Sequence, residues 1–251
     1  MSLSVVQQHL LDFIKTVRVS SLKSASEFYQ KLVGEERTTD LLKQEISTIN
    51  KFIKQFDIEI TECTDEITSE KILVLINTIS DDITQRAKFY DKSAVLFFSE
   101  IVKECIISKY GNITETNCLN LSCSVEITKT AAQNIIHEFV KEKWLASKDG
   151  TISLGMRAIL ELQQTLKQLY PNHITYCKLC KCITVQGFLC TNCNAKYHFE
   201  CLNRYCNTTM KDFRCIGCNE VLQSATASIG TVEEDTSIES PTSGFKRSKR
   251  K

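Results

Sequence analysis

Residues 177–201 read CKLCKCITVQGFLCTNCNAKYHFEC. Cysteines and one histidine dominate the run, and their spacing decides how it folds. Cys177 and Cys180 form a Cys-x2-Cys pair, Cys190 and Cys193 a second, His198 and Cys201 a His-x2-Cys pair, and Cys215 and Cys218 a fourth pair further on. A two-residue gap lets two thiolates converge on one ion at a Zn–S distance of about 2.3 Å. Four pairs supply eight donors, enough for two closed tetrahedral sites with no open coordination position. Such zinc is structural. Disulfides would need an oxidising compartment and leave the histidine unexplained, and a catalytic Cys–His couple would need only two of the eight.

The segment spans roughly 45 residues with few large apolar groups, too small to order itself from a core alone. Structural zinc sites contribute apparent energies of about 10–16 kcal/mol each in isolated peptides, which offsets the deficit. Loss of one donor is therefore expected to unfold the module. Cys182 and Cys206 fall outside the paired spacing and read as packing residues or spare thiols. Spacing alone leaves open which pairs share an ion.

Upstream the chain changes character. It has 251 residues, 42% of them hydrophobic, and a formal net charge of +1, so there is no broad field for steering onto nucleic acid. No stretch has the length and apolarity of a membrane span. The N-terminus, MSLSVVQQHLLDFIKTV, has an amphipathic helical pattern instead of a signal-peptide core. A cytosolic or nuclear chain with reduced thiols is expected. Cys63, Cys105, Cys118 and Cys123 sit in apolar contexts and read as small core residues. His9, His137 and His173 lie outside the donor pattern and read as packed or surface side chains.

Helical patterns near 4–17 and 24–33 are followed, after Gly34, by the stripe Leu42, Ile46, Ile49, Ile53 and Phe56, one apolar helical face. IEIT (58–61) and ILVLI (72–76) then read as strands. The order repeats. Val95, Phe98, Val102 and Ile106 mark a helix, 115–121 a short one, and Ile135, Ile136, Phe139 and Val140 a third. WLASKDGTISL then carries Asp149-Gly150, a two-residue hairpin turn. A closing helix, MRAILELQQTLKQLY, ends at Tyr170 before Pro171. Three helices and a hairpin, twice, is the winged-helix order. The fold class is thus mainly α with small β hairpins: a winged-helix domain over 1–88, a second over 89–172, a zinc module over 173–222 and a disordered tail over 223–251. Base reading by the helix at 128–143 is poorly supported, because Lys129, Lys141 and Lys143 are balanced by Glu138 and Glu142. Protein contact, with at most a weak DNA contact, fits better. The tail ends in KRSKRK (246–251), a candidate import signal, and Ser240-Pro241 is a short phosphorylation-like match.

The donor order, four Cys, one His, three Cys, resembles that of the PHD fingers and the variant RING fingers. In both, pairs one and three hold one ion and pairs two and four the other. The resemblance implies one zinc on Cys177, Cys180, His198 and Cys201, and a second on Cys190, Cys193, Cys215 and Cys218. PHD fingers usually carry a Trp where this chain has Phe213. RING fingers usually place an aliphatic residue before the second donor, here Leu179; a Pro after the seventh, here Ile216; and often a basic residue after the eighth, here Asn219.

Taken together, the tandem winged helices, EKWLASKDGTISLGMRAILELQQTLKQLYP and CKLC…VQGFLCTNCNAKYHFECL…FRCIGCN resemble the non-SMC element 1 family, the RING-bearing subunit of the SMC five–six chromosome complex. The likeness spans roughly residues 1–222 and is strongest over 140–219. It implies a MAGE-type partner held by the winged helices, a kleisin subunit and the SMC heads beyond it, and work in DNA repair and recombination in the nucleus. It also implies a RING-type ubiquitin ligase, weak or dependent on the MAGE partner, with no catalytic residue of its own and a ubiquitin-conjugating enzyme docked on Leu179 and Ile216. Two alternatives stand beside it. One is a purely architectural zinc-stabilised subunit. The other is a PHD-like histone-tail reader, which needs a groove beside the first zinc to which Tyr197 and Phe199 would contribute.

Overall fold

The computed structural model describes residues 2–34, 39–79, 90–209 and 214–221. Phe213, the junction at residues 88–89 and the tail from 223 onward lie outside the described residues. Helix α1 (Val5–Val17) starts at Ser4. Ser4 Oγ accepts from Gln7 N at 3.2 Å, and Gln7 Oε1 accepts from Ser4 N at 2.9 Å, a reciprocal cap. Strand β1 (Val19–Ser21) ends on Ser21, which caps α2 (Leu22–Val33). Gly34 then closes α2 at φ 69°, a left-handed conformation that glycine adopts without a Cβ clash.

Helix α3 (Thr39–Ile53) buries Leu42, Ile46, Ile49 and Ile53. Phe56, the expected fifth member of that stripe, is 60% exposed on a 3-10 turn, Lys54–Phe56. Three residues per turn rotate the face away from where a 3.6-residue period would carry it. Strands β2 (Ile58–Thr64) and β3 (Lys71–Asn77) form an antiparallel hairpin, in register from Ile58↔Asn77 to Thr64↔Lys71. Strand β1 covers the other edge of β3, giving the order β1-β3-β2.

The second half repeats this. It runs α4 (Lys92–Ile107), β4 (Asn112–Thr114), α5 (Glu115–Asn120), α6 (Lys129–Lys141), β5 (Leu145–Lys148) and β6 (Thr151–Leu154), with sheet order β4-β6-β5. Lys148 faces Thr151 across Asp149-Gly150, whose φ values of 49° and 72° are those a tight primed turn requires. The fold is two winged helices in tandem. One core gathers Leu10, Ile14, Tyr29, Ile49 and Leu73, the other Phe97, Phe98, Ile101, Phe139 and Trp144. Strands β1 and β4 have three residues each, too few to show alternation in the sequence.

Two further details differ from the sequence reading. The closing helix is two pieces, α7 (Met156–Glu161) and α8 (Gln163–Leu169), broken at the buried Leu162; no glycine or proline stands at the break, and nothing in the structure explains it. Of the four early cysteines, Cys105 and Cys118 are buried, Cys63 is half-buried and Cys123 is exposed. Cys123 lies on a 3-10 turn, Leu121–Val125, off the face that packs. Helix α7 also packs against β3 of the first unit, so the two winged helices meet directly.

Candidate metal centre

The C-terminal module is built from three knuckles of one design. In each, the first cysteine's N–H donates to a carbonyl five residues on: Cys177 to Cys182, Cys190 to Ala195, Cys215 to Glu220. Its carbonyl accepts from the residue four on: Lys181, Asn194 and Asn219. Those three N–H donor residues all take positive φ, at 63°, 57° and 61°, the local bend that folds two thiols toward one point. The fourth pair is built differently. Strand β8 (Lys196–Tyr197), paired with β7 (Phe188–Leu189), delivers His198, and helix α9 (Phe199–Thr209) presents Cys201 on its first turn.

These elements bring the donors into two interleaved groups. The donor atoms of Cys177, Cys180, His198 and Cys201 lie within 4.8 Å of one another, and so do those of Cys190, Cys193, Cys215 and Cys218. Pairs one and three therefore meet, and pairs two and four meet. In the second group Cys190 Sγ is 3.6 Å from Cys218 Sγ, and Cys193 Sγ is 3.5 Å from Cys215 Sγ. A tetrahedron with Zn–S arms of about 2.3 Å has S–S edges of about 3.8 Å, whereas a disulfide would need about 2.05 Å. In the first group His198 Nδ1 lies 3.2 Å from Cys180 Sγ and 3.8 Å from Cys201 Sγ, again on the scale of a tetrahedral edge. Each group is a four-donor set able to hold a metal ion. Leu179 is half-buried against the module core, while Ile216 is 43% exposed.

Backbone N–H groups are aimed at the thiols. Burial works against an ionised Cys177, yet the N–H groups of Cys180, His198 and Leu179 bring its pKa down to about 7. Burial likewise opposes Cys215, but the Tyr197 hydroxyl and the N–H groups of Cys218 and Gly217 lower it to about 6. Burial, then the charges of Cys177 and Cys180, push Cys201 up to about 12. Thiolates crowded with no cation between them repel, so one ionises early and a neighbour late. Such a cluster is suited to a divalent ion.

A pH dependence follows. Cys177 and Cys215 have folded values below the ordinary 9.0 of a thiol. Their contribution to stability is complete above about 9 and is lost as pH falls through about 7 and then about 6. Protons also compete with the ion for the same sulfurs. We expect chelator-accessible metal in the loaded chain to rise as pH falls, because protons take the sulfurs from the ion; retention that stays flat between about pH 7 and about pH 5 would contradict this.

The module is seated on both winged helices. Ile183 and Val185, between the first two knuckles, belong to the core of the second unit. Gln186 Nε2 donates to Gly111 O at 3.4 Å. From the first unit, Glu66 at the tip of the β2–β3 hairpin reaches the same segment: Val185 N donates to its Oε1 at 3.1 Å and Gln186 N to its Oε2 at 2.8 Å. No pattern in the sequence marks Glu66, which sits in the turn TDEITSE among several acidic residues. Tyr197 is fully buried, its hydroxyl 3.3 Å from Cys215 Sγ and accepting from Gly217 N at 3.2 Å. It cannot line an open groove, which removes half of the aromatic pair that a histone-tail reader would use. Phe199 is half-buried against the same core. Among the described residues no helix is long and apolar enough to cross a membrane.

Comparison with known proteins adds the following. A family model described as the Nse1 non-SMC component of the SMC5-6 complex matches residues 6–129. The non-structural maintenance of chromosomes element 1 homolog of Homo sapiens is 30% identical over 186 residues, covering 73% of this chain and 70% of that protein. Its Rattus norvegicus counterpart is 29% identical over the same shares. Element 1 of Schizosaccharomyces pombe is 24% identical over 204 residues, 80% of this chain and 84% of that protein. A solved structure titled Nse1-Nse3-Nse4 complex superposes with a TM-score of 0.75 at 22% identity, covering 88% of this chain and 97% of the other. That last likeness is one of fold.

Proposed function

The chain belongs to the family of the Nse1 non-SMC component of the SMC5-6 complex, and from that membership we propose that it works there as a RING-type ubiquitin ligase subunit that depends on a MAGE-type partner. The units are a winged helix over 1–88, a second over 89–172 and the RING-like module over 173–222, with a tail beyond. The winged helices hold a MAGE-type subunit, with a kleisin and the SMC heads beyond; the solved structure that this chain resembles in fold is titled Nse1-Nse3-Nse4 complex. The setting is DNA repair on chromosomes in the nucleus.

The reading is carried by the two interleaved four-donor groups. Thiolate and imidazole donors in sets of four fit zinc. One ion sits on Cys177, Cys180, His198 and Cys201, the other on Cys190, Cys193, Cys215 and Cys218. The ions supply rigidity, since four protein donors leave no position for substrate. Leu179 and Ile216 ride on knuckles so fixed, and there they dock a ubiquitin-conjugating enzyme. The chain contributes no nucleophile and no base. It holds the enzyme's ubiquitin thioester near an attacking lysine, and the rate gain comes from restricted geometry.

Discharge of ubiquitin from a conjugating enzyme, followed with and without the MAGE-type partner, tests this. Ile216→Ala is the cleaner variant because that side chain is exposed; Leu179→Ala also removes packing. We expect each to slow partner-stimulated discharge about tenfold, a loss of about 1.4 kcal/mol of docking energy, with zinc content unchanged. No stimulation by the wild-type pair across a broad enzyme panel would reject ligase function. An architectural role would then remain. It is favoured by one observation: Ile183 and Val185 of the module lie inside the second winged-helix core.

A further inference from the structure

Glu66 does more than hold two backbone amides. Its carboxylate is buried, and Oε1 also lies 3.1 Å from His198 Nε2. His198 Nδ1 faces the thiols of Cys180 and Cys201, so the ring is bracketed, sulfur on one side and carboxylate on the other. Ile183 O, also 3.1 Å from Nε2, reinforces the demand for a proton there. Lys196, itself buried, donates Nζ to Val185 O at 2.6 Å and feels the Glu66 charge. A buried carboxylate is costly unless its oxygens are filled. Here two N–H groups and an imidazole N–H fill them, and a buried ammonium stands near. None of these partners is local, for Glu66 and Val185 are separated by 119 residues.

We propose that Glu66 is the outer partner of the first metal site, and that through His198 it makes two events one equilibrium: ion retention by Cys177, Cys180, His198 and Cys201, and docking of the module on the first winged helix. An N–H donated from Nε2 fixes the tautomer that leaves Nδ1 free as a donor to the ion and raises its basicity. The same carboxylate carries the Val185 and Gln186 amides. The hairpin tip can therefore leave only by taking the carboxylate from the histidine, whose Nε2 then faces the neutral Ile183 carbonyl alone. Linkage is reciprocal: undocking weakens the ion's hold, and loss of the ion weakens docking. The second group has no comparable carboxylate among the described residues; its buried outer contact is the Tyr197 hydroxyl.

This inference rests on the donor assignment proposed above. The test uses the full chain loaded with cobalt(II), whose bands separate a three-thiolate, one-imidazole site from a four-thiolate site. Glu66→Gln keeps the side chain's volume and removes its charge, so the hairpin stays folded. We expect its affinity for the first ion to fall roughly 10–100-fold, the usual effect of removing an outer-shell partner. The four-thiolate site stays at its wild-type affinity, and the Val185 and Gln186 amides exchange faster. Wild-type affinity at both sites alongside loosened amides would overturn the proposal, since Glu66 would then be a docking contact alone. Fewer than two ions on the wild-type chain is a different result, and it would reject the donor assignment itself.

Discussion

Replacing Cys215 with alanine unfolds the C-terminal module while both winged helices stay folded. Cys215 is a buried member of the second donor group and lies 3.5 Å from Cys193 Sγ. Its thiol also meets the buried Tyr197 hydroxyl, so alanine leaves the donor group one member short and leaves that hydroxyl with only the Gly217 N–H as a partner. The apolar core of the module amounts to little beyond Phe188, Ala195, Tyr197 and Leu202. Set against an ion's apparent contribution of about 10–16 kcal/mol, it cannot hold the knuckles alone. Because the donor pairs alternate along the chain, loss of one site frees a segment that the other site needs. The expected readouts are loss of at least one zinc per chain by elemental analysis and fast amide exchange over 188–206. Helices α1–α6 stay protected. Cys206→Ala is the control: that thiol is buried in the same core but belongs to neither donor group. Its loss should cost only about 1 kcal/mol. Two retained ions and native exchange in Cys215→Ala would remove the structural role of the site.

Gly111→Ala should separate module from winged helices without touching a donor. Gly111 has φ 75°, and a Cβ there would lie 2.1 Å from Val185 O and 2.7 Å from Val185 C. Both are backbone atoms, so no rotamer change relieves the overlap, and the module must shift outward. Gly150→Ala isolates the strain of the backbone angle, because Gly150 has φ 72° and meets nothing within 4 Å. We expect Gly150→Ala to cost about 1 kcal/mol. Gly111→Ala should cost about 3 kcal/mol, near the top of the usual range for one substitution. Exchange at 183–186 should rise, the second ion should be held as in the wild-type chain, and the first, whose His198 loses Glu66 as the module moves, should be held more weakly. Equal costs for the two variants, measured by denaturant unfolding, would mean that the contact with Val185 is loose.

Local patterns were legible wherever a residue's role depends on near neighbours. The stripe through Leu42 and Ile53, the turn at Asp149-Gly150 and the four two-residue gaps of the donor pairs all encode structure within a turn or a hairpin. The break at Leu162, the outward turn of Phe56 and the three-residue strands β1 and β4 were not legible. Each is too short, or too dependent on what packs against it, to leave a period in the sequence.

By itself, then, the sequence determined that the chain carries two helix-and-hairpin units and a donor-rich module whose paired side chains are spaced to hold metal ions. Periodicity and ligand spacing are short-range properties and survive in a linear string. Spacing left open which donors converge, and only the family resemblance implied the grouping; that the eight side chains gather in those two groups, and that a glutamate 132 residues upstream of His198 lies 3.1 Å from its ring, is visible only in the tertiary structure. Those contacts arise when the hairpin tip, Gly111 and the module segment are folded onto one another, and a single carboxylate in an acidic turn carries no local mark of the partner it will meet.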